Sequence, residues 1–407
     1  MEEKRYLKVF NNQEEYEAQK DEVMGVPHVI LLEDTKEVVY KPLTETEEDE
    51  IDYSLEFFTL EALEDGVLDF TLGSGAIDDN TLYYSVNDSD WESFVYDEDL
   101  GGTQKIVNVQ QNDKVKIKAQ KQVKKYSNVG RFNISNPFNA YGNAMSLIYG
   151  DNFEGQTSLE GYSSCFQELL QYSNIVSAEN LILPATTLAE GCYGSMFKNC
   201  TNLTTAPQLP TTTLASYCYT RMFGNCTSLE TAPQLPATTL AEGCYSNMFY
   251  GTNVLPDWSN IDFTNETVVA SGGLKGLFAG TKVTDADLER ILPKNNEGKY
   301  YLPVTTLTNY CYSNMFEGCT SLTTAPELPA TTLVDSCYQY MFYRCSKLNY
   351  IKMLATDISA NYCLSNWVSG VASSGTFVKH KDMNSLPTST SSNYYSGIPN
   401  GWTVENA

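Results

Sequence analysis

A Met-Phe pair returns along the second half of this chain, at Met196-Phe197, Met222-Phe223, Met248-Phe249, Met315-Phe316 and Met341-Phe342. The first three pairs are 26 residues apart, and so are the last two. The surroundings return with the pair. Cys218-Tyr219 precedes Met222, and Cys226-Thr227-Ser228-Leu229 follows it, leading into Thr231-Ala232-Pro233-Gln234-Leu235-Pro236. Self-similarity at a fixed period of this length marks a solenoid, in which each turn buries its apolar face only against its neighbours. Such a fold offers a long surface for binding and no obvious pocket for chemistry.

Degenerate copies extend the array. Leu169-Leu170 stands where the first Met-Phe is due, Leu277-Phe278 follows Met248-Phe249 after 29 residues, and Trp367-Val368 follows Met341-Phe342 after 26. About 12 residues are expected to loop out within Asp285–Tyr301, which gives about eight turns over 166–370. Within one turn, Leu-Pro-Ala-Thr-Thr-Leu reads as an extended segment. Cys-Tyr-x-x-Met-Phe-x-x-Cys has apolar residues at i, i+4, i+5 and i+8, which predicts one side of a short helix. Asn or Gly before the second Cys turns the chain. The predicted inward set is Met196, Phe197, Met222, Phe223, Met248, Phe249, Met315, Phe316, Met341 and Phe342, with Cys218, Cys226, Cys337, Cys345 and the Leu of Thr-Ser-Leu. Each large side chain so buried contributes roughly 1.5–3 kcal/mol.

Of eleven cysteines, ten obey the repeat, in two sets eight residues apart. Disulfides within each repeat are conceivable, but Thr252 takes the second position after Cys244. The pattern therefore predicts small buried thiols stacked as ladders. Two histidines, His28 and His380, and no CxxC pair leave no metal site in prospect.

Ahead of the repeats, residues 1–42 read as a small α+β unit. Its strands are Arg5–Phe10, Val29–Leu32 and Glu37–Tyr40, with a short helix from Asn12 through about Lys20. An acidic linker over 43–54 follows. Residues 55–128 predict a small β-sandwich, immunoglobulin- or BACON-like, with strands Phe57–Leu63, Val67–Leu72, Leu82–Val86, Trp91–Val95, Ile106–Val109 and Lys114–Ala119. Lys114, Lys116 and Lys118 form a row read as a solvated face. Residues 129–165 cap the solenoid on the way in, and 371–407 form a C-terminal cap or tail. The fold class is mainly β with short helices.

The formal net charge is −25, from 51 acidic and 26 basic residues. Such a chain is repelled by phosphate backbones and anionic lipid, so neither nucleic acid nor a membrane is an expected partner. No apolar run reaches the roughly 18 residues of a membrane span. The opening, Met1 to Lys8, lacks the apolar core of a signal peptide; if Met1 is the natural start, general secretion is not expected.

Catalysis finds little support. Any Cys–His or Ser–His pair would need one of two distant histidines. Gly73-Ser74-Gly75 lacks nucleophile-elbow spacing, and Gly276 to Lys282 does not fit a P-loop. Asp88, Asp90 and Glu92 have calcium-loop spacing without the glycine of the sixth position. No catalytic, cofactor-binding or metal-ligating residue is assigned. Surface binding fares better. The chain has 28 tyrosines, and Tyr217, Tyr250, Tyr310, Tyr340 and Tyr343 occupy variable repeat positions. Of these, Tyr217, Tyr310 and Tyr340 are the expected ligand-contact surface, since tyrosines beside hydroxyls and amides suit sugar rings and polar protein surfaces.

Met222-Phe223-Gly224-Asn225-Cys226-Thr227-Ser228-Leu229 and Gln234-Leu235-Pro236 resemble the BspA-like leucine-rich repeats of Bacteroidales and their phages. The endings Trp367–Phe377 and Gly397–Val404 also look like those of such proteins. Tyr6-Leu7-Lys8-Val9-Phe10, Glu15-Tyr16-Glu17 and Glu33–Tyr40 are similar to the opening of fibre and appendage proteins of crAss-like phages, with His28-Val29-Ile30-Leu31 where Asn-Val-Ser is usual. The resemblance implies a non-enzymatic virion structural protein, a head or tail fibre, assembled in the host cytoplasm. Its N-terminal unit would join other virion proteins, and the chain would act as a homo-oligomer contacting a host-surface glycan or protein. The competing expectations are a bacterial cell-surface adhesin with the same repeats and a purely structural decoration protein.

Overall fold

The structure is a computed structural model that describes residues 52–72, 82–94, 103–123, 125, 128–255, 270–388 and 396–407, together with three N-terminal strands. The chain divides into two compact units, Met1–Asp52 and Tyr53–Ala407. It is mainly β. Among the described residues, α-helix is confined to α1 (Ser146–Tyr149) and α2 (Leu288–Ile291).

The first unit carries β1 (Tyr6–Phe10), β2 (His28–Leu32) and β3 (Glu37–Lys41). β2 lies in the middle, parallel to β1 and antiparallel to β3. The expected helix after Asn12 and most of the acidic linker lie outside the described residues.

The second unit opens with eight strands: β4 (Phe58–Ala62), β5 (Gly66–Leu72), β6 (Leu82–Val86), β7 (Glu92–Ser93), β8 (Thr103–Val109), β9 (Lys114–Ala119), β10 (Gly130–Ile134) and β11 (Phe138–Asn143). One sheet runs β10-β5-β8, and the other places β11-β4-β9-β6-β7 side by side. Alternating inward rings join the two: Phe58 of β4 stacks on Phe132 of β10 at 5.6 Å, and Phe132 meets Phe70 of β5 at 4.7 Å. Residues 129–165, expected as a separate cap, therefore supply β10 and β11 to these sheets. β11 also pairs in parallel with β12 (Ile175–Ser177) and β13 (Leu181–Ile182) of the first repeat. It is thus the seam between the antiparallel sheet and the repeats. α1 closes the end of the sheet. Its buried Ser146 Oγ accepts the Phe58 N–H and donates to the Ile117 carbonyl, at 2.9 and 3.0 Å.

Of the lysine row of β9, Lys114 is exposed as expected, but Lys116 and Lys118 are covered. Lys116 pairs with Asp88 at 2.7 Å and Glu56 at 3.4 Å. Lys118 is only 8% exposed; it binds Asp151 at 2.5 Å and sits over the Trp91 ring at 4.3 Å. These partners come from segments far along the chain, so the alternation of Lys114–Ala119 could not disclose them. The charges of Lys116 and Lys118 are thus met internally.

The Cys-Tyr-x-x-Met-Phe-x-x-Cys segments, expected as helical, are runs of tight turns. In the second copy the N–H groups of Cys192, Gly194, Met196, Lys198 and Cys200 each bond the carbonyl three residues back. The N–H groups between them reach the third copy: Tyr193 to Cys218, Ser195 to Thr220, Phe197 to Met222. Every amide from Cys192 to Cys200 is satisfied, half locally and half across copies. An α-helix would satisfy them internally and leave none to join its neighbours. The arrangement demands a left-handed residue at every fourth position. In the third copy these are Tyr217, Arg221 and Asn225, with φ of 56°, 55° and 60°.

Inward residues accordingly come in adjacent pairs every four positions, Cys192-Tyr193, Met196-Phe197, then Cys200, all buried. Every Met and Phe of the five pairs is fully buried, with Cys218, Cys226, Cys337 and Cys345. The tyrosine after the first Cys joins them, which a helical spacing leaves out. Rings stack copy on copy, Phe197 on Phe223 at 5.6 Å and Tyr193 on Tyr219 at 5.7 Å. The three left-handed positions recur in eight copies, the first starting at Ser164 and the last at Tyr362.

Asp285–Tyr301, expected to loop out, is folded against the stack. α2 lies within it, Lys294 bridges Tyr300, and Tyr301 bridges Glu327. The Asp285 carboxylate accepts the Thr323 N–H at 2.8 Å. Burial works against its charge, but the Thr323 and Thr324 donors outweigh that and hold its pKa below the ordinary value. The C-terminus adds β14 (Tyr350–Met353), β15 (Thr376–Lys379) and β16 (Thr403–Asn406), parallel and in register. Trp402 Nε1 donates to Ala372 at 2.8 Å, and Trp367 Nε1 to Gly397 at 3.1 Å.

All eleven cysteines are buried free thiols. Cys165, which seemed outside the repeat, follows the left-handed Ser164 as Cys192 follows Gly191, so it heads the first ladder. The second ladder is a row of donors to backbone carbonyls. Cys226 Sγ reaches Phe197 O at 3.1 Å and Cys345 Sγ reaches Phe316 O at 2.9 Å. Thr252 Oγ1 reaches Phe249 O at 2.8 Å, which is why a hydroxyl stands in for a thiol there. Cys226→Ser should therefore cost under about 1 kcal/mol, the hydroxyl keeping a bond of ordinary net worth. Cys218→Ser, in the first ladder, where the carbonyl contacts of Cys165 and Cys363 are longer at 4.0 and 3.4 Å, should cost on the order of 1–3 kcal/mol. Urea unfolding of the two variants checks the contrast; equal losses would refute it.

Burial pushes the Cys200, Cys218, Cys311 and Cys319 thiols up to about 12, and those of Cys226 and Cys345 well above their ordinary value. A folded pKa raised above the unfolded one gives stability that is complete below the unfolded pKa, near about 8.5, and lost as pH rises toward the folded one. Each such thiol costs roughly 1.4 kcal/mol per pH unit in that window. The melting temperature should hold steady from about pH 6 to 8 and fall steeply between about pH 9 and 11. A flat alkaline limb in calorimetry would contradict this.

Candidate functional site

The left-handed positions point away from the core and form three rows along the stack. Their residues vary because the backbone dictates only φ, favouring Gly, Asn and Ser where nothing else is required. The expected contact tyrosines sit in these rows but do not converge. Tyr217 and Tyr310 share the first row, 40% and 42% exposed, with Gly243 and Gly272 between them. Tyr340 belongs to the middle row of the seventh copy, half-buried edge-on against Tyr343 at 5.5 Å.

Tyr217 is also engaged. Its hydroxyl donates to Glu242 Oε1 at 2.6 Å, a bond that raises the phenol's pKa. Its ring lies over Gly243, 2.4 Å from where a Cβ would stand. Two of the most exposed tyrosines, Tyr172 and Tyr362 at 65% and 68%, were not singled out in the sequence. They occupy left-handed positions of the first and last copies, and the register of those degenerate copies was the available signal.

A groove of about 460 Å³ lies on this face, and every copy from the second to the sixth contributes to it. Lys198 comes from the second, Arg221 and Asn225 from the third, Asn247 and Tyr250 from the fourth, Lys275 from the fifth, and Asn314 and Glu317 from the sixth. The local sequence makes room for it. Gly224 lines the groove, and the Asn247 amide lies across Gly276, 2.2 Å from where a Cβ would project. Asn225 Nδ2 donates to Asn199 at 2.8 Å, and Asn314 Nδ2 donates to Glu317 at 2.5 Å. Among the described residues, none of Lys198, Arg221 and Lys275 is ion-paired; Lys275 Nζ sits 5.3 Å over the Tyr310 ring. Tyr310 is thus the one expected contact tyrosine beside the groove. A second cavity of about 320 Å³ lies by Pro233, Leu255, Lys282 and Arg290.

Other candidates for chemistry are accounted for. Asp88 is held by Lys116, and Glu92 accepts the Tyr84 hydroxyl at 2.6 Å. His380 Nδ1 accepts the Asp382 N–H at 3.2 Å. Among the described residues, no three His, Cys, Asp or Glu side chains come together as a metal site, and no helix is long and apolar enough to cross a membrane.

No protein-family model matches this chain, and neither a curated protein nor a solved structure does so.

The Tyr217–Gly243 contact gives a test of how neighbouring rows constrain one another. Gly243→Ala should cost about 2 kcal/mol or more, combining a left-handed alanine with a clash against the ring. In a Tyr217→Ala background only the backbone part, roughly 1 kcal/mol, should remain. Chemical denaturation of the double-mutant cycle reads the difference; identical costs in both backgrounds would discard the contact.

Proposed function

We propose that residues 166–370 are a BspA-like leucine-rich-repeat solenoid, and that the packed sheets before it are an immunoglobulin- or BACON-like sandwich. On this reading the chain is a non-enzymatic phage virion protein, a head or tail fibre. The observation that carries it is the continuity of the stack. Eight copies hold one another through backbone bonds, and the left-handed rows carry residues as different as Tyr217, Gly243 and Ser336. That architecture suits display rather than catalysis. The separate compact unit Met1–Asp52 supports an attachment role for the N-terminus. Several copies of a weak outward site on one particle would gain by avidity, which favours a homo-oligomer.

Mass spectrometry of purified particles should find the chain in phage infecting Bacteroidales. A chain lacking residues 1–52 should keep the cooperative melting of the remaining unit, Tyr53–Ala407, yet stay out of the particle. Normal incorporation of the truncated chain would refute the attachment role. Recovery from the envelope of uninfected cells, and not from particles, would favour the cell-surface adhesin.

A further inference from the structure

We infer that the groove across the second to sixth copies binds a segment of acidic polysaccharide, with sugar carboxylates along the chain met in turn by Lys198, Arg221 and Lys275. The inference names a ligand class for the outward surface of the function proposed above, and rests on that reading for its biological setting only.

The charge argument comes first. The chain is strongly acidic, with 26 basic residues against 51 acidic ones. Yet three cations line a single groove, and among the described residues none has an ion-pair partner. Lys116 and Lys118 of β9 show the other arrangement, with carboxylates at 2.5–3.4 Å. Cations left unpaired around a cavity are suited to an anionic ligand, and a cleft focuses their field.

The rest of the lining narrows the ligand. Asn225, Asn247 and Asn314 carry both donors and acceptors, as hydroxyl-rich ligands require. Tyr250 is 39% exposed and is the aromatic side chain of the lining among the described residues. Among the described residues the lining has no Ala, Val, Leu, Ile or Met, so the hydrophobic anchors of a peptide would find no seat. A nucleic-acid strand needs a stacking ring for successive bases and a basic track for its phosphates; one tyrosine on an acidic chain supplies neither. Glu317 would repel a uniformly charged polyanion while accepting a sugar hydroxyl. The lining therefore favours carboxylates spaced among hydroxyls over dense sulfation.

Geometry agrees. Stacked rings set the copy spacing at 5.6–6.1 Å, close to the length of one pyranose unit in a polysaccharide. A sugar chain lying along the stack would meet corresponding positions of successive copies, filled in turn by cationic, amide and aromatic side chains. The volume of about 460 Å³ falls within the ordinary range for ligand sites, roughly 300–1,000 Å³.

The test is calorimetric titration of the full chain with tetragalacturonate, its methyl ester, a heparin-derived tetrasaccharide and a single-stranded DNA oligonucleotide. Tetragalacturonate should bind with a dissociation constant of about 10 µM to 1 mM and weaken as salt is raised. The ester should bind at least about tenfold more weakly, as should the sulfated sugar and the DNA. Lys198→Gln/Arg221→Gln/Lys275→Gln should lose about tenfold or more at an unchanged melting temperature; Tyr250→Ala should lose several-fold. Should the triple variant melt early, Arg221→Gln alone, at an exposed position, should still weaken binding. Equal binding of the ester, equal binding of DNA, no binding of tetragalacturonate, or full binding by a folded triple variant would each overturn the inference. Because binding is measured on the purified chain, its failure is separate from absence of the chain from particles.

Discussion

The repeats depend on one division of labour in the backbone. Along Cys192–Cys200, alternate amides close local turns and the others reach the next copy. No copy can satisfy its own backbone, so no copy is stable alone, and the array gains its order from length. The same alternation places two residues inward out of every four. It thereby builds the Met-Phe stripe, the tyrosine stack and both thiol ladders in one stroke. Seen this way the cysteines are small buried groups chosen for fit. In the second ladder Cys226 and Cys345 donate to the Phe carbonyl of the preceding copy, whereas Thr252 and Thr281 donate to the Phe carbonyl of their own.

The left-handed positions that this backbone requires explain the outer surface. At three of these positions a side chain is met by glycine in the next copy. Tyr217 lies over Gly243, Asn225 over Gly251 and Asn247 over Gly276. The groove results from this alternation of size rather than from any loop. It brings Lys198, Arg221 and Lys275 to one cavity although they are spread across 78 residues of sequence, from 198 to 275.

Charge pairing separates two basic features that look alike in sequence. Lys116 and Lys118 alternate with apolar residues as a solvated strand face would, yet Glu56, Asp88 and Asp151 cover them. Lys198, Arg221 and Lys275 follow no pattern and remain uncovered. In an acidic chain the informative cation is the one that the fold declines to pair.

The sequence by itself determined the repeat, its register through Leu169-Leu170 and Trp367-Val368, and the burial of Met, Phe and Cys, because identity at a fixed period survives any detail of backbone geometry. Most of the early strands were also legible, since Lys114–Ala119 and Leu82–Val86 alternate with a period of two. The tertiary structure decided what local pattern could not. Spacings of four look nearly helical, and only the demand of neighbouring copies for half the amides converts that segment into turns. The same demand sends Tyr193 inward and Tyr217 outward, although both are tyrosines of one motif. Partners for Lys118, the folding of Asp285–Tyr301 onto Thr323, and the assembly of the groove all join residues remote in sequence. Their energies depend on distances that only the stacked chain defines.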